Sequence, residues 1–248
     1  MKTVFAAVAF LTRFPLPLEV SADDVGRAAR WFPLVGALLG GIAAAIAVAL
    51  AEMPDLPPVL GALVLVSLGT WVTGAIHLDG LADTADGFGG GRTRDEVLRI
   101  MRDPVVGSFG VLALVLAIST KVAAIASLLE RQVAPPFLVA APTLSRWTVV
   151  VLGAWLPYAR SEAGLGRPVT QRQFGDVLCA TAVAAVVTVA AVGRDAPVLF
   201  AVAAVVTTVL GRIAARRVGG VTGDVFGAGV ELGETLVLAV GVLVAGPA

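Results

Sequence analysis

Charged side chains are scarce in this sequence. Asp, Glu, Lys and Arg make up 15% of its 248 residues, whereas hydrophobic residues make up 58%. A soluble domain carries roughly a quarter charged residues, and a compact soluble fold cannot hide this much Ala, Val and Leu. The mean hydropathy of +0.92 points the same way. We therefore exclude a soluble fold and expect the lipid bilayer to be the solvent for most of the chain.

Cysteine and net charge are also limited. The single cysteine, Cys179, cannot form an intrachain disulfide and does not constrain the redox compartment. The formal net charge is zero, which argues against nucleic acid as a partner. No small-residue cleavage site follows the apolar patch at 4–11, so we do not interpret the patch as a signal peptide. It is too short to span a bilayer, and we expect it to lie in the interface or to re-enter the membrane.

Apolar stretches near the ~20 residues needed to cross a bilayer recur along the chain. They predict an all-α fold, in which residues 1–248 form a single polytopic integral membrane domain, a helix bundle with about seven transmembrane helices. We place the spans at about 31–51, 58–77, 107–129, 136–157, 176–193, 196–213 and 232–247.

Basic residues lie mostly on alternate loops. Fourteen of the eighteen Lys and Arg residues fall before the first span or on every second loop, and the remaining loops hold only Arg131 and Arg194. The positive-inside rule places the basic loops and the N-terminus in the cytoplasm, and the C-terminus outside, for a multi-pass protein of the cytoplasmic membrane. The fourteen are Lys2, Arg13, Arg27, Arg30, Arg92, Arg94, Arg99, Arg102, Arg160, Arg167, Arg172, Arg212, Arg216 and Arg217.

Three carboxylates, Asp79, Asp83 and Asp86, follow the second apolar run directly, within His77–Gly87. Spacings of four and three residues place them on one face of a helix. Like charges so close repel each other unless a cation lies among them. A hard divalent cation such as Mg²⁺, shared with phosphate oxygens, is the expected partner.

The predicted cytoplasmic loop 78–106 continues with glycines and arginines. The glycines at 87–91 permit close approach to a ligand, but no Gly-Lys-Ser/Thr follows, so this is not a P-loop. Residues 93–102 are typical of a short amphipathic helix capped by Thr93, with Glu96 at its third position. The arginines either clamp phosphate oxygens or form a solvated face; they are Arg92, Arg94, Arg99 and Arg102.

A second acidic motif lies in the Gly-rich stretch 219–234, which overlaps the cytoplasmic loop 211–231. Asp224, Glu231 and Glu234 are spaced by seven and three residues, again on one helical face. We interpret the two motifs as counterparts that carry carboxylates into the mouth of the bundle. One or two Mg²⁺ ions held by both motifs, together with a phosphorylated ligand, would balance the six negative charges.

Three further polar residues lie at or inside predicted spans. His77 is the only histidine and adjoins the first acidic motif, so it is either a satisfied boundary residue or takes part in proton transfer or phosphate contact. Lys121 and Arg146 fall within spans. A charge at that depth costs at least ~2.5–3.5 kcal/mol, so each faces a partner or a wet cavity unless it snorkels.

At these motifs the chain resembles the cobalamin synthase family, adenosylcobinamide-GDP ribazoletransferase. The matching segments cover almost the whole chain, except for 158–200. They are Phe10-Leu-Thr-Arg-Phe-Pro15, Trp31-Phe-Pro-Leu-Val-Gly36, His77–Gly87, Ile100-Met-Arg-Asp103 with Gly107-Ser-Phe-Gly110, Ser145-Arg-Trp147 and Gly220-Val-Thr-Gly-Asp224.

The resemblance implies a late step of vitamin B12 assembly, in which adenosylcobinamide-GDP is joined to α-ribazole or its 5′-phosphate and GMP is released, with Mg²⁺. It assigns Asp79, Asp83 and Asp86 to Mg²⁺ and pyrophosphate, and one of them or His77 to deprotonation of the hydroxyl. In addition to the lipid bilayer, the expected partners are a second copy of the chain or other cobalamin-assembly enzymes. With Asp224, Glu231 and Glu234 completing the metal site, the expected substrate contacts are Gly80, Gly87, Arg99, Arg102, Asp103 and Arg146.

Two other functions remain open at this point. A CDP-alcohol phosphotransferase also carries an Asp-Gly-x-x-Ala motif beside membrane helices, but it requires Arg directly after the Ala, where this chain has Asp83 after Ala82. A transporter would use the acidic residues and Lys121 as a cation or proton path. Against it, the acidic residues cluster at one face and not at mid-membrane in both halves.

Overall fold

The computed structural model describes residues 2–14, 21–161, 164, 166–170 and 173–246. Pro15, Arg172 and Pro247 of the sequence analysis lie outside these residues. The predicted all-α class is confirmed, since the described residues form helices and one isolated parallel bridge, between Tyr158 and Val221. The helices are α1 (Lys2–Leu11), α2 (Ala22–Ala28), α3 (Phe32–Ala51), α4 (Pro58–Thr73), α5 (Ile76–Gly90), α6 (Arg94–Ile100), α7 (Ser108–Glu130), α8 (Ala134–Trp155), α9 (Phe174–Val192), α10 (Ala196–Val218) and α11 (Gly223–Val244).

The apolar helices are those of a polytopic membrane protein. Among the described residues, five helical stretches are long and apolar enough to cross a membrane, or six if α4 and α5 form one bent span. The predicted number of seven is not confirmed by this count. One of the stretches, Phe174–Val218, is 45 residues long, and a 3₁₀ turn at Gly193–Asp195 divides it into α9 and α10.

Three predicted span boundaries differ from the structure by at least four residues. The span predicted at 196–213 continues as a helix to Val218. The span predicted at 58–77 ends as a helix at Thr73, because the chain turns there into α5. The last span, predicted at 232–247, begins as a helix nine residues earlier, at Gly223. We predicted that Gly-rich stretch to be largely part of the cytoplasmic loop 211–231, but from Gly223 onward it lies in a helix that packs closely on its neighbours.

The chain bends by 88° between α4 and α5. Gly74 and Ala75, with φ angles of 64° and 61°, both adopt the left-handed region there, which glycine occupies freely and alanine rarely does. The backbone N–H of Arg13 donates to the Val72 carbonyl at 2.9 Å, and its guanidinium lies 5.2 Å from the centre of the Trp71 ring. The bend carries the acidic helix α5 away from the direction of α4.

The centre of the bundle is α8, most of which is buried. It packs against α3 at Gly36 and Gly40, where a Cβ would overlap the carbonyls of Pro142 and Leu138. Such close helix approach at small residues is typical of membrane proteins. α11 packs on another face of α8, with Gly233 in contact with Ser145. α8 therefore fixes the position of α11, on which the second acidic motif lies.

The predicted short helix at 93–102 is confirmed as α6, and its capping box is present. The Thr93 hydroxyl accepts from the backbone N–H of Glu96, and the Glu96 carboxylate accepts from the N–H groups of Thr93 and Arg92. These hydrogen bonds hold the pKa of Glu96 below its usual value. The box fixes where α6 starts, close after the end of α5.

Candidate active site

The structure brings the two acidic motifs together, because α5 packs directly on α11. A Cβ added at Gly80 would lie 2.8 Å from the carbonyl oxygen of Asp224, and one at Gly227 would lie 3.2 Å from the carbonyl of His77. Glycine at both positions lets the two backbones touch. Asp79, next to Gly80, therefore lies beside the first turn of α11, which carries Asp224.

The carboxylates of Asp79 and Asp83 form the open part of this site. Asp79 is exposed and Asp83 half-buried, and no described side chain or amide donates a hydrogen bond to either. Asp83 lies close enough to Asp79 and Asp224 for the three negative charges to repel one another. The three carboxylates lie close together, and neither Asp79 nor Asp83 has a bonded cation among the described residues. This arrangement is expected of a site that receives a positively charged ligand.

Asp224 is held by the loops on either side of it. Its Oδ2 accepts from Arg160 at 2.7 Å and from the Thr222 hydroxyl at 3.1 Å, while that hydroxyl also accepts from the Val225 N–H and caps α11. The backbone of 157–159 pairs with Val221, with the Ala159 N–H donating to its carbonyl at 2.8 Å. A Cβ at Gly220 would overlap the Pro157 carbonyl. Gly220, Val221, Thr222 and Asp224 of this motif thus each have a structural role, whereas a Cβ at Gly223 would meet no atom within 4 Å.

Asp86, on the same helix face, has a different environment. Its Oδ2 accepts from the Gly107 N–H at 2.7 Å and its Oδ1 accepts from the Gly110 N–H at 2.8 Å. A Cβ at Gly107 would lie 2.5 Å from its carboxylate. The carboxylate is therefore seated on the free amides at the start of α7, where the helix dipole favours a negative charge.

Glu231 and Glu234, the deeper acids of the second motif, lie in a buried group of four ionic side chains. Lys121 donates to Glu231 at 2.6 Å and to Glu234 at 3.2 Å, and Arg146 donates to Glu234 and to the Ser145 hydroxyl. Two positive and two negative charges balance in this quartet, which we define as Lys121, Arg146, Glu231 and Glu234. The predicted partners of the two intramembrane cations are therefore carboxylates of α11.

His77 is 6% exposed, and its Nδ1 is buried with no hydrogen-bond partner among the described residues. A buried imidazole nitrogen without a partner is unusual in a folded protein. His77 lines a cavity of about 360 Å³ together with Asp79 and Asp224. The histidine therefore borders the cavity, while its charged neighbours are Arg146, Glu234 and Lys121 of the quartet.

The predicted substrate-contact residues of the loop 78–106 lie at the surface beyond α5. Arg99 and Arg102 are exposed on α6 and the turn after it, and the Asp103 carboxylate accepts from the Val105 N–H at 3.0 Å. Gly87 provides room for Met101, since a Cβ there would lie 2.5 Å from the Met101 side chain. Of this set, the structure gives Gly80 and Gly87 packing roles.

Two other arginines join the ends of helices. Arg94 donates to the carbonyls of Val218 at 3.0 Å and Ala159 at 2.6 Å, and Arg217 donates to the carbonyls of Phe88 and Gly91. Both therefore satisfy carbonyl groups at a helix end, and Arg94 also bonds to a carbonyl of the loop after α8.

Sequence reasoning missed Arg160 and Tyr158 as site residues. Both line the cavity, but they lie in the 158–200 segment that carries no recognisable motif. Burial raises the pKa of the Tyr158 phenol above its usual value, and the Arg167 guanidinium lies 6.0 Å from the centre of its ring. The only signal for this loop in the sequence was its content of basic residues.

These contacts indicate which carboxylates could bind a divalent metal ion. Among the described residues, no group of three or more His, Cys, Asp or Glu is arranged to hold a metal ion by itself. Mg²⁺ is usually bound by one or two carboxylates plus substrate phosphates, not by an all-protein cage. Asp79 and Asp83, one helical turn apart and without hydrogen-bond donors, have the donor chemistry for that arrangement.

The fold and the site together define a polytopic helical membrane protein with a carboxylate-rich cavity at one end of its bundle. The chain belongs to the CobS family, cobalamin-5-phosphate synthase, which it matches over residues 3–242. It is 40% identical over 220 residues to the adenosylcobinamide-GDP ribazoletransferase of Prosthecochloris aestuarii, covering 87% of this chain and 88% of the relative. The enzymes of that name from Klebsiella pneumoniae and Ralstonia pickettii are each 38% identical over 244 residues, 96% of this chain and 98% and 93% of theirs. No solved structure matches the chain.

Proposed function

We propose that the protein joins adenosylcobinamide-GDP to α-ribazole, or to α-ribazole 5′-phosphate, and releases GMP. The product is adenosylcobalamin or its 5′-phosphate, so the reaction is a late step of cobalamin biosynthesis. Family membership over residues 3–242 supports the activity. The observation that carries the assignment to this site is the contact of α5 with α11. It brings Asp79 to the cavity that Asp224 and Arg160 also line, with Asp83 close to all three.

The chemistry is a substituted phosphoryl transfer. A ribose hydroxyl that is free in both α-ribazole and its 5′-phosphate, and so is not the 5′-hydroxyl, attacks the phosphorus attached to cobinamide. A new O–P bond forms, the P–O bond to GMP breaks, and the hydroxyl loses its proton. Such reactions depend mainly on positioning and on neutralising charge at the transferred group. Asp224 lines the cavity and has its Oδ2 fixed by Arg160 and Thr222. Its Oδ1 therefore accepts the hydrogen bond and then the proton of the hydroxyl.

Asp79 and Asp83 would hold Mg²⁺ together with oxygens of the diphosphate. Bound there, the ion would neutralise the charge that develops on the leaving GMP. Arg160, already at the site, supplies a second positive charge for the diphosphate. The exposed Arg99 and Arg102 would contact the guanosine diphosphate part of the substrate from α6 and the following turn.

The active-site end of the bundle faces the cytoplasm in this proposal. Four arginines lie at this end. Three of them donate to carbonyls or to a carboxylate near α5 and α6, namely Arg94, Arg160 and Arg217, and Arg99 is exposed beside them. That excess of arginine follows the positive-inside rule. Labelling of a cysteine introduced at Arg99 or at Asp55, in protein that also carries Cys179→Ser, tests the sidedness in intact and permeabilised cells.

The direct test uses purified protein in proteoliposomes. Adenosylcobinamide-GDP and α-ribazole are added with Mg²⁺ or with EDTA, and GMP and the corrinoid product are measured. We expect GMP release that needs both substrates, is lost with EDTA, and is lost in Asp79→Asn. Asp55→Asn, in the exposed loop between α3 and α4, is the matched control and should be fully active. Ion flux through the liposomes without GMP release would instead favour a transporter.

A further inference from the structure

The cavity beside the open carboxylates is small compared with one of the two proposed substrates. Its volume of about 360 Å³ lies near the lower end of the ~300–1,000 Å³ range of ligand pockets. A nucleoside, which is one bicyclic base on one ribose, has the right size for it. An adenosylated corrinoid carrying a guanosine diphosphate does not.

The lining of the cavity divides into apolar and polar residues. Aromatic and aliphatic side chains come from α1, α8, α11 and the loop after α8, among them Phe10, Val149, Tyr158 and Phe226. A flat, methylated base such as that of α-ribazole is apolar and has no charge to pair, so it suits walls of this kind. The carboxylates of Asp79 and Asp224 are poor neighbours for such a base, because a charge next to an apolar surface loses its hydration without gaining a partner.

The polar residues match the other half of a nucleoside. Asp224 and His77 line the same cavity. Ribose hydroxyls both donate and accept hydrogen bonds, so they satisfy carboxylate oxygens and an imidazole nitrogen in either of its tautomers.

We propose that this cavity is the acceptor site: it binds the nucleoside with the base against Tyr158 and Phe226 and the ribose toward Asp224 and His77. The corrinoid substrate then stays outside it and presents only its diphosphate, at Asp79 and Asp83. The assignment rests on the proposed function, since it divides that reaction's two substrates between two parts of one site. It also makes Tyr158, Phe226 and His77 determinants of nucleoside binding.

Steady-state kinetics with each substrate varied in turn separate the two parts. Because stacking of a base on an aromatic ring commonly contributes about tenfold in affinity, Tyr158→Ala should raise the KM for α-ribazole by about tenfold and leave the KM for adenosylcobinamide-GDP unchanged. Tyr158→Phe keeps the ring and should restore the KM for α-ribazole. Phe226→Leu should act in the same direction with a smaller effect. Phe174→Ala, which removes an aromatic ring that is 81% exposed, should change neither KM.

His77 is tested by a conservative substitution. His77→Asn keeps a short side chain that can bond to a hydroxyl, whereas His77→Leu fills the space without one. We expect His77→Leu to raise the KM for α-ribazole by about tenfold, consistent with loss of a hydrogen bond to a buried group, and His77→Asn to recover most of it. Equal effects of the two substitutions would assign His77 to packing alone.

Equilibrium dialysis with labelled α-ribazole, without the corrinoid, gives a readout independent of turnover. Wild-type protein should bind the nucleoside and Tyr158→Ala should bind it about tenfold more weakly. If Tyr158→Ala instead raises the KM for adenosylcobinamide-GDP, the assignment of the cavity is overturned while the proposed function stands. If wild-type protein binds neither substrate and releases no GMP, the proposed function itself fails.

Discussion

Helix α11 carries acidic residues in two regions that differ in their partners. At its start, Asp224 lies beside Asp79 and Asp83, and among these three only Asp224 has a described cation bonded to it, Arg160. About two turns further on, Glu231 and Glu234 are bonded to Lys121 and Arg146. Both regions look alike in the sequence, as carboxylates spaced along one helical face.

The difference lies in what the neighbouring helices contribute. α7 and α8 each place one cation opposite the glutamates, so the charges of the quartet balance. α5 places two further carboxylates opposite Asp224, so negative charge accumulates there. A buried ion pair needs its partners because a lone charge at that depth is very costly. An accessible acidic cluster needs no such partner, because water hydrates it until a ligand binds together with a cation.

The largest effect is expected from breaking the quartet. Lys121→Met leaves Glu231 and Glu234 with one cation between them, and loss of one member of a buried ionic group costs about 3–5 kcal/mol of unfolding free energy. Thermal unfolding in detergent should show it. The double variant Lys121→Met/Glu231→Gln, which removes one charge of each sign, should recover part of the loss. Unchanged stability of Lys121→Met would mean that the quartet contributes little.

Asp83→Asn should lower the rate of the reaction without lowering the stability of the protein. We expect kcat to fall by about 10²–10³-fold, as for other losses of transition-state charge stabilisation, while the thermal unfolding midpoint stays near that of wild type. The same protein preparation serves GMP release and unfolding assays. Retention of both activity and Mg²⁺ dependence would contradict the role of the open carboxylates.

Gly80→Ala tests the contact that joins the two acidic motifs. Its added methyl would lie 2.8 Å from the Asp224 carbonyl, so α5 and α11 must separate, at a cost of about 1–3 kcal/mol and with reduced activity. Gly69→Ala is the matched control, since no atom lies within 4 Å of a Cβ there. That variant should be equally or more stable than wild type. Equal behaviour of the two would show that the close approach is not required.

The smallest effect is expected at Asp86. Asp86→Asn keeps one oxygen for the amides of Gly107 and Gly110 and loses the second acceptor, which we expect to cost about 1–2 kcal/mol of unfolding free energy. Activity should change less than in Asp83→Asn, and Asp55→Asn again controls for loss of a surface charge. Loss of activity at unchanged stability would instead return Asp86 to the metal site that sequence spacing predicted.

Much of the fold could be predicted from the sequence, because hydrophobic runs and caps are local signals. The spans at α3, α7 and α8 and the capping box at Thr93 follow from them. The start of α11 was predicted wrongly, since its glycines resemble a turn when their packing partners are unknown. In the structure, Gly227 is where α5 touches the helix.

The candidate site could be predicted only in part. Residue type and spacing indicated where carboxylates gather, but not what lies opposite each of them. The partners of Asp86 are backbone amides, which every residue type offers, so no sequence pattern marks them. Arg160 approaches Asp224 through the pairing of 157–159 with Val221, a contact between residues more than sixty positions apart.

Helix α5 is fastened at both of its ends. Its first residues follow the left-handed pair Gly74 and Ala75, Asp86 grips the start of α7, and Arg217 holds the carbonyls of Phe88 and Gly91. A helix secured in this way presents its carboxylates at fixed positions. In the proposed reaction, both substrates must therefore be brought to Asp79 and Asp83, which this fastening holds in place.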